Sequence, residues 1–145
     1  MNQPSITVVV ADWARLREDA GAVRHAVFVV EQNVPPEIEM DEFDAVCVHA
    51  VAYDADGQVL GTGRLLPDGH IGRMAVHRRA RGMGVGARLL RALVEAGRSA
   101  GHRKLMLNAQ THARGFYAGQ GFVVEGDEFM EAGIPHVAMA LTFPD

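Results

Sequence analysis

Residues 78–88 read RRARGMGVGAR, three arginines in four positions followed by glycine at 82, 84 and 86. The stretch before it, IGRMAVH (71–77), has strand character, and Val85 to Arg98 after it reads as an amphipathic helix. Val85, Leu89, Leu90, Leu93, Val94 and Gly97 share one face of that helix, while Arg88, Arg91, Glu95 and Arg98 lie largely opposite. A strand that enters a helix through so many glycines points consecutive amides out of the helix N-terminus, which carries roughly half a positive charge. Bulky side chains would hold an anion away from those amides, and Arg78, Arg79 and Arg81 add charge suited to phosphate oxygens. The junction reads as a seat for phosphate between a strand and a helix, or else as only a flexible basic loop.

Upstream, Ile6 to Ala11 reads as a strand, Asp12 as an N-cap and Trp13 to Ala20 as a helix. Gly21 marks a break or kink, after which Ala22 to Glu31 resumes helical spacing through Val23, Ala26, Val27 and Val30. Next comes EQNVPPEIEMDEFD (31–44), where Pro35 and Pro36 forbid regular helix. Its carboxylates are Glu31, Glu37, Glu39, Asp41, Glu42 and Asp44. The segment reads either as a solvated acidic loop or as the wall of a site that attracts a cationic substrate. Val46 to Tyr53, a DADG turn (54–57) and Gln58 to Leu66 form a hairpin, and Pro67, Asp68 and Gly69 turn the chain into a third strand, His70 to Val76.

Downstream, Gly101 ends the amphipathic helix and Lys104 to Ala109 (KLMLNA) returns as a strand, making the helix a parallel crossover. Thr111 caps a short helix through Tyr117, and Phe122 to Val124 reads as a short strand. A loop containing Gly126 and Gly133 closes at Pro135, and His136 to Leu141 is the last strand.

At 145 residues the chain fits one domain, 1–145, and its 48% apolar content suffices for a sizeable core. A net charge of -4 makes the arginine cluster a local feature and argues against a general nucleic-acid binder. Cys47 is the single cysteine, which excludes an intramolecular disulfide; among Ala45, Val46 and Val48 it reads as a small buried hydrophobe. His70, His77, His102 and His112 are too scattered for a metal site, so no metal is expected. No signal-peptide pattern is present and no apolar run approaches the ~20 residues of a membrane helix, so the expected location is the cytoplasm, with no membrane partner.

Three nucleotide-type patterns compete for the glycine turn. A Walker loop ends in G-K-[ST], but here the residues are Gly86-Ala87-Arg88. A Rossmann fingerprint needs G-x-G-x-x-G and an acid about 20 residues on; this chain has G-x-G-x-G and Gly101-His102-Arg103-Lys104. The third pattern, [QR]-x-x-G-x-[GA], is met by Arg79-Ala80-Arg81-Gly82-Met83-Gly84, and F-Y-x-x-x-G-F follows as Phe116-Tyr117-Ala118-Gly119-Gln120-Gly121-Phe122. With the strand, helix and strand order around them, these motifs resemble the GNAT N-acetyltransferase superfamily over the whole chain. VFVVEQN (27–33) and GIPHVAM (133–139) are similar to a small bacterial group of predicted acetyltransferases.

The resemblance implies a single-domain α/β fold: a mixed, mostly antiparallel sheet with a splayed parallel central pair and helices on both faces. It implies acetyl-CoA as co-substrate, with Met74 and Val76 beside the pantetheine arm and the diphosphate held by backbone from Arg81 through Gly82, Met83, Gly84 and Val85 to Gly86, with Arg79 nearby. Asn108 would bond the pantetheine or a water, or else satisfies local backbone at a strand end. Tyr117 matches the family position that protonates the departing thiolate; packing under Phe122 is its other reading. The attacking amine must be neutral, and an ammonium of pKa ~10.4 loses about 4 to 5 kcal/mol to deprotonation near pH 7. Candidates for the base are Glu31, Glu125, Glu128, Glu131 and His136, and His136 has the better intrinsic pKa. The implied activity is direct acetyl transfer in a ternary complex to a primary amine on a small molecule or peptide, with acceptor walls from 20–44 and 125–136. A non-catalytic CoA-binding regulatory module and a phosphate-binding domain unrelated to CoA are the alternatives. A homodimer is compatible with the resemblance.

Overall fold

In the computed structural model, which describes residues 5–39 and 41–144, the glycine junction stands where the sheet comes apart. Strands β1 (Thr7–Ala11), β2 (Val48–Tyr53), β3 (Val59–Leu65) and β4 (Ile71–Val76) form an antiparallel meander in that order. Strands β5 (Lys104–Gln110), β6 (Val123–Glu131) and β7 (Ile134–Thr142) form a second antiparallel sheet, with β7 in the middle. Among the described residues the two sheets meet at one parallel bridge, His70 with Met106, where the Met106 N–H donates to the Gly69 carbonyl at 2.9 Å. Beyond that bridge β4 and β5 are not paired, so the parallel pair is splayed.

Helices close both faces. Helix α1 (Trp13–Arg24) starts at Asp12, whose side chain accepts from the Arg15 amide at 3.0 Å, and buries Leu16 and Ala20 with Val51. Helix α3 (Val85–Ser99) buries Val85, Leu89, Leu90 and Leu93 on the opposite face, among Ala50, Leu60, Leu105, Leu107 and Met139. Each of those leucines contributes roughly 1.5–3 kcal/mol of apolar burial. The helix approaches closely because Gly97 carries no side chain: a Cβ there would stand 2.8 Å from Leu105 Cδ2.

Four expectations change. Helix α1 runs through Gly21 without a break, and the chain then widens into π-helical turns, His25–Glu31, shown by the Gln32 N–H donating to the Val27 carbonyl at 3.0 Å. The wider turn keeps Val27 buried but rotates Val30 out to 66% exposure, so the regular spacing through Val30 does not describe one face. Pro36–Glu39 forms one helical turn, α2, and Glu42–Val46 a 3₁₀ turn, so β2 begins at Val48 rather than Val46. Thr111 starts a 3₁₀ turn rather than capping a helix, and the following helix α4 is Arg114–Ala118.

The fourth change is the largest. Residues 125–136 are not a loop but most of a hairpin, β6 and β7, turned at Ala132 and Gly133 with φ 52° and 77°. Gly126, at φ 84°, lies where the register shifts between Glu125 and Phe129, so it is absorbed as a bulge. Pro135 fits inside β7 because pairing with β5 ends at Gln110–His136, leaving no ladder partner on that side for the missing N–H.

Candidate active site

The turn after β4 has a backbone geometry able to accept an anion. A 3₁₀ turn, Arg78–Ala80, leads to Gly82 and Gly84 at φ 83° and 81°, a left-handed conformation that costs glycine nothing. Conformation, more than the need for space, accounts for these two glycines. Gly86 differs: a Cβ there would sit 3.6 Å from Phe116 Cζ and 3.8 Å from Val76 Cγ2, which brings α4 and β4 against the helix start. Gly84 is the N-cap of α3 and has no side chain to cap it; the first intrahelical bond is Arg88 N–H to Gly84 carbonyl at 3.2 Å. The amides of Val85, Gly86 and Ala87 precede that bond, leaving donors at the positive end of the dipole.

The arginines are more committed than their number suggests. Arg79 donates from Nη2 to the Val59 carbonyl at 3.1 Å, and Arg81 donates from Nε to the Val76 carbonyl at 3.1 Å. Both Nη groups of Arg81 also bond Glu31, at 2.7 and 2.9 Å. Met83 is partly exposed at the turn and Val85 is buried in the core, so Val85 offers its amide and not its side chain.

The split between β4 and β5 runs up to this turn. Met74 and Val76 lie on β4 and pack partly against the core, while Asn108 lies on β5, two residues beyond the Met106 bridge and exposed. Between Thr62 and Arg64 the β3–β4 register shifts, and Arg73 on β4 takes φ 49° in the resulting bulge. Such a conformation costs a non-glycine residue about 1–3 kcal/mol. Nothing in the alternation of the strand distinguishes Arg73, and sequence reasoning missed it. Tyr117 on α4 packs edge-on to Phe116 and Phe122, with centroids 5.1 and 6.3 Å apart. Burial pushes its phenol further above the usual tyrosine range, so it is a protonated donor at neutral pH.

His136 and Glu131 come together on the hairpin. His136 Nδ1 lies 2.7 Å from the Ile134 carbonyl, to which it donates, and Nε2 lies 3.4 Å from Glu131 Oε2. The ring stacks on Phe129 at 6.0 Å and is buried. Neighbouring Val137 belongs to the α3-side core, so alternation puts His136 on the other face of the sheet, whereas Tyr117 packs against that core. The two residues form separate groups. Of the other base candidates, Glu125 pairs with Lys104 at 3.0 Å and Glu128 is exposed. Glu31 is held below the usual carboxylate range by its bonds to Arg81, which makes it a poor proton acceptor.

In the acidic segment Glu39, Asp41 and Asp44 are taken up by arginines, so these three form neither a solvated loop nor an open acidic wall for a cationic substrate. Glu39 and Asp44 are buried, and Arg24 bonds Glu39 together with both Asp44 oxygens. Arg64 takes Asp41 at 2.7 and 2.8 Å and Asp44 at 2.9 Å, and Arg73 reaches Asp41 at 3.3 Å. Loss of solvent alone would raise the Asp44 pKa, but Arg24 and Arg64 outweigh it and hold the carboxyl low. Glu42 is exposed, and the side chain of Glu37 lies outside the described residues. Cys47 is buried beside this network, and loss of solvent pushes its thiol up to about 11. Among the described residues no three His, Cys, Asp or Glu side chains converge to hold a metal ion.

A family model described as "Acetyltransferase (GNAT) domain" matches residues 17–143. The chain is 42% identical over 135 residues to the uncharacterized N-acetyltransferase YjcF of Bacillus subtilis, with 90% of this chain and 96% of that protein covered. Among solved structures it is similar to an acyl-CoA N-acyltransferase from Pseudomonas aeruginosa, at TM-score 0.82 and 32% identity over 95% of this chain and 100% of that one. Escherichia coli ElaA matches at TM-score 0.82 and 28% identity, over 94% and 99% of the two chains. The glycine turn at the head of α3, the split sheet and these matches together place the chain in the GNAT acetyltransferase family.

Proposed function

We propose that the chain transfers an acetyl group from acetyl-CoA to a primary amine by direct attack within a ternary complex. The observation that carries this reading is the uncapped α3 N-terminus at the head of the β4–β5 split. Amides from Arg81 to Gly86 hold the diphosphate, with Arg79 and Arg81 supporting the turn. The free edge of β4 at Met74 and Val76 lies along the pantetheine arm, and Asn108 faces it from β5. Acetyl-CoA supplies an acetyl group activated as a thioester. Similarity to the acyl-CoA N-acyltransferase of Pseudomonas aeruginosa supports an acyl-CoA donor.

Tyr117 donates its proton to the departing thiolate, a role that suits a phenol kept protonated by burial. His136, on the other face of the sheet from Tyr117 and oriented by its bond to the Ile134 carbonyl, accepts the amine proton through water rather than directly. Cys47 is buried with a thiol at about 11, which favours direct transfer over an acyl-cysteine intermediate. No helix among the described residues is long and apolar enough to cross a membrane, and we assign the enzyme to the cytoplasm.

Calorimetry with CoA, followed by thiol release from acetyl-CoA across a primary-amine panel, tests the reading. The expected result is CoA binding and amine-dependent release. Absence of binding at millimolar CoA removes the reading, and binding without amine-dependent release removes the activity.

A further inference from the structure

We propose that Glu31 is a positioning residue for the donor loop, acting through Arg81; the inference rests on the acetyl-CoA reading above. The Arg81 guanidinium joins the end of β4, five residues back, to the π-helical segment 50 residues back. Its Nε donates to the carbonyl of Val76, the last residue of β4, and its Nη1 and Nη2 bond the two oxygens of Glu31 at 2.7 and 2.9 Å. Glu31 is the last residue of the π-helical segment, and Arg81 immediately precedes Gly82. A bidentate fork between guanidinium and carboxylate fixes direction as well as distance.

The turn needs an external anchor. Gly82 and Gly84 are left-handed, and a Cβ on either would meet no heavy atom within 4 Å, so the turn packs against little at these positions. Arg81 supplies the anchor from one side, and its side chain turns back toward β4. The loop then presents backbone amides to a diphosphate, with the arginine charge already matched by Glu31. The pair is partly exposed, 42% on Arg81 and 24% on Glu31, so it adds little to global stability and its effect is local. Glu31 also borders a groove of about 410 Å³ between the π-helical segment and the loop, with His77 and Arg78 on the far side. Arg81 and Arg78 are the guanidinium groups that act on it. The carboxylate therefore serves the donor half of the reaction.

The test measures CoA affinity by calorimetry and steady-state kinetics for the wild type, Glu31→Gln, Glu31→Asp and Arg81→Lys. Glu31→Gln should raise the CoA Kd and the acetyl-CoA KM about three- to tenfold, with kcat and Tm nearly unchanged. Glu31→Asp should recover part of the loss, and Arg81→Lys, which loses the fork, should resemble Glu31→Gln. Unchanged affinity in Glu31→Gln overturns the proposal, as does tighter binding, which would mean that freed Arg81 reaches the phosphates. A fall in kcat at constant KM would return Glu31 to the role of base. If Glu31→Gln fails to fold, Arg81→Lys and Glu31→Asp decide the matter by the same Kd criterion. A wild type that does not bind CoA removes the acetyl-CoA reading itself, a distinct outcome.

Discussion

Two substitutions at Gly84 separate the conformation of the donor loop from its electrostatics. Gly84 holds φ 81° and ψ 11°, and a Cβ there meets no heavy atom within 4 Å. Gly84→Ala therefore suffers no clash, only the left-handed penalty of about 1–2 kcal/mol. For a domain of this size that lowers Tm by about 3–6 °C. Gly84→Glu carries the same backbone penalty and adds a carboxylate beside the uncapped amides of Val85, Gly86 and Ala87. With a CoA diphosphate on those amides, two phosphate charges about 6 Å away oppose it. At an effective dielectric of about 40–80 the repulsion is about 1.5–3 kcal/mol, or roughly ten- to a hundredfold in Kd. Thermal melts and calorimetry with CoA read the two effects independently. The variants should share a Tm shift and differ in CoA affinity. Equal affinity for CoA in the two would refute the seat assigned to the diphosphate.

Tyr117→Phe should lower kcat about a hundredfold while CoA affinity by calorimetry stays within about twofold, because only proton donation to the thiolate is lost. Unchanged turnover would remove that role. Asp44→Asn should cost about 3–5 kcal/mol at pH 7 in urea unfolding, since Arg24 and Arg64 lose a buried counter-charge. The Asp44 pKa is lowered on folding, so its contribution is present above the unfolded value near ~4 and is lost as pH falls through the folded one. The deficit of the variant should accordingly shrink below about pH 4; a deficit independent of pH would deny the charge network its role. Gly21→Ala lies in the interior of α1 with no heavy atom near its Cβ and should stabilise by about 0.5–1 kcal/mol. A lower Tm would contradict the placement of Gly21 in an uninterrupted helix.

The βα junction, the crossover helix and the parallel relation of β4 to β5 were legible because each rests on local periodicity or on turn chemistry. The ends of the hairpin at 123–142 were legible as strands, but the stretch between them was not, because Gly126 and Pro135 have the composition of breakers. Their tolerance depends on a bulge and on where a neighbouring strand stops, neither of which is local. The acidic segment misled for a related reason. Its partners Arg24, Arg64 and Arg73 lie 15 to 32 residues away along the chain, and only folding shows that they share Glu39, Asp41 and Asp44 in one network. Within the candidate site the glycines and Tyr117 stood in recognisable motifs. Arg73, marked by its positive φ and its reach to Asp41, and the Glu31–Arg81 fork carried no signal that spacing could expose.

The most direct test of the central claim is product stoichiometry with acetyl-CoA labelled in the acetyl group. Thiol release and labelled N-acetyl amine should be followed together, with mass spectrometry of the protein during turnover. The account predicts one N-acetylated amine for each thiol released, and no acetylated protein intermediate on Cys47 or elsewhere. Thiol release without N-acetylated product, or label that accumulates on Cys47 and chases into the amine, would contradict it.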